Sequence, residues 1–259
     1  MRLISYMSPG FPATLFEIIG DAIGAEVHFE TAASGPPPGR DPFRDGSFDL
    51  GWICSTSFVD LALRHDRPSV QLVGVGWVPD DPDVHGRPLY FGDLVVRDGS
   101  PVVSVADLRG RRIGCNDVIS LSGHLSLRFA IEALGERPDD FAELVFTGGH
   151  HASLDAVLSG ELDACVVDSV VRVGRSRLDE GVADLRVVER LGPWPVQPLV
   201  ARADLDARLV AEIRDRVVQL GARPDVRAEL AASALTAFVA TDPDHYEPVS
   251  RAFERHLRI

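Results

Sequence analysis

Lysine is missing from this sequence: all 26 basic residues among its 259 are arginine. That excludes chemistry that needs an amine nucleophile, above all a Schiff-base lysine holding pyridoxal phosphate. It also excludes a Walker-A loop, whose lysine grips a nucleotide's outer phosphates. Basic charge is short overall, because 39 acidic residues leave a net charge of −13. A chain so acidic offers no basic face to nucleic acid or to an anionic membrane, so neither is expected as a partner. Cysteine is scarce too. Cys54, Cys115 and Cys165 lie far apart in apolar neighbourhoods without metal-ligand spacing, and read as small, reduced core residues rather than disulfide partners. No apolar run approaches the ~20 residues that span a bilayer, so no membrane insertion is expected. Catalytic triads and nucleotide loops are absent as motifs, and the expectation is no catalytic residue, no metal and no cofactor.

What is there reads as a globular α/β protein: 45% of residues are apolar and 25% charged, an ordinary balance for a packed soluble chain. Residues 2–7 and 26–31 read as strands, with an amphipathic helix over 13–24 between them. Further short apolar runs fall at 49–54, 69–75, 90–97, 112–115, 144–146 and 164–167, most of them followed by a helical stretch. Short apolar strands alternating with helices predict parallel sheets. After Pro198 the pattern turns mostly helical, over 205–221, 223–236 and 244–257, with starts at Asp204, Pro224 and Asp242. The Pro/Gly-rich stretches at 34–46 and 78–88 read as surface loops.

Two segments could carry chemistry. The first runs Arg112-Ile113-Gly114-Cys115-Asn116-Asp117 and on to Ser120-Leu121-Ser122-Gly123-His124. A strand ends near Cys115 and a helix begins around Gly123. Ser120 and Ser122 therefore fall where the first helical turn leaves N–H groups unpaired and the dipole is positive. Hydroxyls, free amides and a glycine that permits close approach make an anion cradle; the same serines can equally serve as plain helix caps. The second segment is Phe146-Thr147-Gly148-Gly149-His150-His151. Adjacent histidines cannot both face one point from a helix, which argues against a two-histidine metal site. One imidazole aimed at a ligand as a hydrogen-bond donor is reasonable. Ser55-Thr56-Ser57 and Ser8-Pro9-Gly10-Phe11 each follow a strand and open a helix, as caps or as ligand-facing turns. Trp52 and Trp77 read as core.

The order of these segments resembles the phosphonate-binding family of ABC-transporter solute-binding proteins. It rests on Ala106-Asp107-Leu108-Arg109-Gly110, on Ser120-Leu121-Ser122-Gly123, on Phe146-Thr147-Gly148-Gly149-His150, and on Ala156-Val157-Leu158-Ser159-Gly160-Glu161-Leu162-Asp163-Ala164. The resemblance implies a type II periplasmic-binding-protein fold, two α/β lobes with the ligand in the cleft between them. One lobe is expected over 1–90 plus 200–259 and the other over 91–195. Carried over position by position, it implies ligand contacts from Tyr90, Ser120, Leu121, Ser122, Gly123 and His150. Asp168 is implied as a reader of the ligand's organic tail; Ser55, from its place at a strand-to-helix turn, is a candidate contact from the first lobe or only a cap. Leu121 stands where the family usually has a hydroxyl residue, and His124 where tyrosine is frequent.

The function implied is reversible binding of a small oxyanion, phosphonate-like, in partnership with an ABC permease. The alternatives are a cytosolic enzyme on the same fold, such as a menaquinone-pathway-like lyase, and a ligand-sensing protein. Met1 leads straight into the first apolar run, so the chain as written is expected in the cytoplasm. With an upstream signal it is expected in the periplasm or at the cell surface.

Overall fold

The computed structural model describes residues 1–7, 10–37, 39–63 and 66–256. Ser8 and Pro9 of the first strand-to-helix turn lie outside these residues. The chain divides into two compact units, one formed by Met1–Leu89 with Pro195–Ile259, the other by Tyr90–Trp194. In chain order the first unit opens with β1 (Arg2–Ser5), α1 (Ala13–Ile23), β2 (Glu26–Phe29), β3 (Leu50–Trp52), α2 (Ser55–Phe58), a π-helical turn at Val59–Leu63, β4 (Val70–Leu72) and β5 (Val75–Pro79). Next come β6 (Leu89–Arg97), β7 (Arg112–Cys115), α3 (Ser126–Ala133), α4 (Pro138–Phe141), β8 (Glu143–Phe146), α5 (His150–Leu158), β9 (Ala164–Asp168), α6 (Ser169–Leu178) and β10 (Leu185–Pro195). The chain ends with β11 (Leu199–Arg202), α7 (Ala207–Leu220), α8 (Pro224–Ala232), β12 (Leu235–Ala240) and α9 (Glu247–His256).

The first unit holds a sheet ordered β2-β1-β3-β11-β4 and a two-stranded ribbon of β12 and β5. Strand β1 runs parallel to β2 and β3, whereas β11 is antiparallel to both of its neighbours. Its core includes an aromatic cluster in which Trp52 and Trp77 stack with centroids 4.7 Å apart and planes within 6°. Phe11 packs on Trp77 at 4.6 Å. Both indoles are fully buried, as core residues.

The second unit holds a sheet ordered β10-β6-β9-β7-β8. Strands β7, β8 and β9 are mutually parallel, and β6 is antiparallel to β9. Apolar side chains pack on both faces of this sheet. One cluster gathers Leu94, Val96, Ile113, Leu127, Ile131 and Val166; the other gathers Val95, Leu154, Val157, Cys165 and Val167. Alternation along β6 and β9 explains the split, since successive side chains leave a strand on opposite faces. At the edge of the hydrophobic interior, the fully buried Asp93 carboxylate pairs with Arg172 Nε at 2.6 Å and Arg190 Nε at 3.1 Å. All three cysteines are buried thiols; burial pushes Cys115 up to about 12 and raises Cys165 as well.

Three expectations need correction. The sheets are mixed rather than parallel, because β6 and β11 run against their neighbours. The segment after Pro198 is not all helical: β11 and β12 interrupt it, and the helix read over 223–236 stops at Ala232. Ala234 then turns with φ 56°, in the left-handed region that sequence seldom announces outside glycine and asparagine. Helix α7 starts two residues later than read, capped by Asp206, whose carboxylate accepts from the N–H groups of Arg208 and Leu209.

Candidate functional site

The residues singled out in the second unit converge at the carboxyl ends of β7, β8 and β9. Strand β7 ends at Cys115, and the Asp117 carboxylate then accepts from Ile119 N–H at 2.9 Å and Ser120 N–H at 2.8 Å. That side-chain turn brings the chain round to start a helix. The helix begins as a π-helical turn, Leu121–Leu125, and continues directly as α3. Ser120 is its N-cap, and its Oγ accepts from Gly123 N–H at 3.1 Å. Ser122 lies in the first turn, where N–H groups have no partner within the helix. Both serines are almost wholly buried, at 2% exposure each. Leu121 is fully buried and contributes packing rather than a polar group.

Gly123 is wedged tightly. A Cβ there would lie 2.6 Å from Asn116 Cβ, 2.8 Å from His150 Cε1 and 3.0 Å from Ser120 Oγ. Only a residue without a side chain lets strand end, helix start and imidazole meet. Gly92 of β6 does the same from the neighbouring strand, since a Cβ there would lie 2.6 Å from the Ser122 carbonyl oxygen. Tyr90 is two residues along from Gly92, so its side chain leaves β6 on the same face; it is 1% exposed.

His150 opens α5 after the Gly148-Gly149 turn. The Thr147 hydroxyl fixes that turn, meeting Cys115 O at 3.1 Å and Ser153 Oγ at 2.6 Å. His150 Nδ1 accepts from the Asp168 backbone N–H at 3.3 Å, and its Nε2 lies 3.3 Å from Asn116 Nδ2. Desolvation drives its pKa down to about 3, with a smaller push from His151. A neutral ring whose Nδ1 accepts must carry its hydrogen on Nε2. The site thus sets an uncharged imidazole beside the Ser120-capped helix start.

Other expected residues have different partners. Asp168 is buried at the end of β9, and its Oδ1 caps α6 by accepting from Val170 N–H at 2.8 Å and Val171 N–H at 3.3 Å. Sequence reasoning gave this carboxylate a ligand; the geometry gives one of its oxygens a helix. Ser55 belongs to the first unit, where its Oγ lies 3.1 Å from Pro195 O and 3.3 Å from Val196 O, and so donates to the returning chain. His124 is buried against Phe146, and its Nδ1 lies 2.9 Å from Val118 O. Burial lowers its pKa as well. Asn116 was not singled out by sequence reasoning. Its only signal there was its place, one residue past a strand that leads to a helix cap. Among the described residues, no three His, Cys, Asp or Glu side chains gather to hold a metal ion, and no helix is long and apolar enough to cross a membrane.

Solved structures define the class first. The chain has the type II periplasmic-binding-protein fold. A binding-protein component of an ABC phosphonate transporter from Pseudomonas aeruginosa superimposes with a TM-score of 0.76 at 17% identity, over 98% of this chain and 85% of that one. PhnD1 from Prochlorococcus marinus, in complex with methylphosphonate, gives 0.77 at 16% identity, over 100% and 98%. The aliphatic sulphonate binding protein SsuA from Escherichia coli gives 0.63 at 14% identity, over 100% and 88%. The family follows from the sequence itself. Residues 13–246 match the model of the phosphonate ABC transporter periplasmic substrate-binding proteins, and the chain belongs to that family. A family of binding proteins gives the lyase reading no support.

Proposed function

We propose that the protein captures a phosphonate-type oxyanion for an ABC permease, and that the cradle of the second unit holds the anion. The observation that carries this reading is the His150 ring, its Nδ1 turned to the Asp168 backbone amide, packed at Gly123 against a serine-capped helix start. Ser120, Ser122 and the amides around Gly123 supply hydroxyl and N–H donors. Tyr90 and His150 complete the set, and Asp168 stands next to it at the head of α6. Neutral donors suit an anion that must be released again, since each hydrogen bond to a charged group contributes about 1.5–3 kcal/mol without a buried countercharge. The two units correspond in this reading to the two lobes of the fold, and the place of action is the periplasmic face of the membrane, where a permease receives the ligand.

Isothermal titration calorimetry with methylphosphonate, phosphite and phosphate tests the proposal. Ser122→Ala is expected to weaken binding by about 10- to 100-fold. A Ser120→Ala/Ser122→Ala double variant that remains folded and binds as tightly as the wild type would remove this cradle from consideration. The place of action is checked separately, by fractionating native cells and weighing the mature protein.

A further inference from the structure

Apart from the cradle, and sharing no lining residue with it, the second unit holds a cavity of about 560 Å³. Helices α5 and α6 pack on β9; the cavity is lined by β6, by the edge strand β10, by α6 and by the 3₁₀ turn at Glu180–Asp184. Its apolar lining comes from Val95, Val182, Leu185 and Val187. Val95 and Val182 are buried, whereas Leu185 and Val187 stay half-exposed. A concave, mainly apolar space of ~300–1,000 Å³ with a few polar groups is the usual form of a small-molecule site.

Arg172 and Ser176, one turn apart on α6, line the same cavity. The Arg172 guanidinium is held by one nitrogen only. Its Nε donates to Asp93 Oδ2 at 2.6 Å, and the fully buried Asp93 gives its other oxygen to Arg190 Nε at 3.1 Å. One carboxylate thus serves two guanidiniums, and Arg172 has no second acidic partner among the described residues. Its two terminal NH₂ groups have no hydrogen-bond partner there either. They are the planar fork that takes both oxygens of a carboxylate at once. The rim carries the opposite sign, with Glu180 and with Asp179, which pairs with Arg175 at 2.7 Å. A ligand with one negative charge meets a guanidinium that shares its countercharge; a second negative charge would face the rim carboxylates.

We propose that this cavity is a binding site in its own right, for a small carboxylate with an apolar body. The carboxylate lies on the Arg172 fork, and the hydrocarbon covers Val182, Leu185 and Val187. The ion pair with Asp93 holds the guanidinium in place before the ligand arrives, so little side-chain freedom is lost on binding. This inference goes beyond the oxyanion reading of the cradle and does not depend on it.

Nitrogen-15 NMR of the full chain, titrated with hexanoate at pH 8, tests the site. Saturable shifts are expected in the amides of residues 172–187, which bracket most of the cavity lining; their absence would overturn the inference. Hexanol has a similar body without the charge and should bind about 10- to 100-fold more weakly; equal binding would leave Arg172 without a role and overturn it too. Hexyl phosphate, with about two negative charges at that pH, should also bind less tightly than hexanoate, and tighter binding would refute the assignment to a carboxylate. Replacing Arg172 would strip the buried Asp93 of a partner and threaten the fold. The variant is therefore Ala183→Trp, at an exposed position of the lining, which fills the space and leaves the ion pairs alone. It is expected to melt as the wild type does and to lose hexanoate; native affinity in it would overturn the site. Should that variant not fold, the hexanoate and hexanol comparison in the wild type decides. Hexanoate shifts confined to the cradle, and displaced by methylphosphonate, would overturn this inference and leave the oxyanion reading standing.

Discussion

A half-buried imidazole that stays neutral makes folding sensitive to acid. His150 has its pKa lowered to about 3 by burial, against roughly 6.5 for an exposed ring in the unfolded chain. Between those values the unfolded state binds a proton that the folded state refuses. Stability contributed by the neutral ring is therefore complete above about pH 6.5 and is lost as pH falls toward about 3. Going from pH 7.5 to pH 5 is expected to cost ~2 kcal/mol from this residue alone. Burial depresses His124 and His245 in the same direction, so the three effects add. Thermal melting across that range should show a falling midpoint. In His150→Gln, less stable at neutral pH, the fall should be visibly shallower. An unchanged slope would mean that His150 is exposed to solvent often enough to titrate normally.

At the scale of elements, the cradle depends on how closely three of them meet at Gly123. Gly123→Ala places a methyl group 2.6 Å from Asn116 Cβ and 2.8 Å from His150 Cε1. Overpacking of that kind costs about 1–3 kcal/mol, and the displaced imidazole should cost oxyanion binding as well. Calorimetry and urea titration read the two losses separately; an alanine variant with native affinity would show that the helix start can shift without harm. Much of this meeting point was legible in the sequence. A short apolar strand before Ser120-Leu121-Ser122-Gly123, and a Gly148-Gly149 turn before His150, announce themselves through local chemistry. The Asn116 contact was not legible, because it joins residues 34 positions apart and no local pattern encodes that. Strand direction escaped for a similar reason: β6 and β11 run antiparallel through long-range pairing, while each alone reads as an apolar run. Strand β10 was missed because it is mostly half-exposed, so its charged and apolar residues do not alternate cleanly. The turn at Ala234 hid inside an alanine-rich stretch that favours helix.

For the whole molecule, the two units differ in how the chain builds them. The second is one continuous segment, Tyr90–Trp194, and both apolar clusters of its sheet lie inside that segment. An excised 90–194 chain is expected to fold by itself, with a sigmoidal urea transition followed by circular dichroism; a featureless, gradual loss of signal would refute this. The first unit cannot be cut the same way. Strand β11 comes from the returning chain yet lies between β3 and β4, so a chain ending at residue 89 loses an inner strand of its sheet and should not fold. The stacked indoles of that unit have a consequence of another kind. Trp52 and Trp77, with planes within 6° at 4.7 Å, are placed to couple their electronic transitions and give a paired band in circular dichroism. Trp194, the remaining tryptophan, is the last residue of the second unit and packs near Phe129 with centroids 5.8 Å apart. The first unit therefore carries a native optical label of its own, an exciton signal that a lone indole such as Trp194 cannot give. Unfolding of that unit can be followed by circular dichroism in the intact chain, without an added dye.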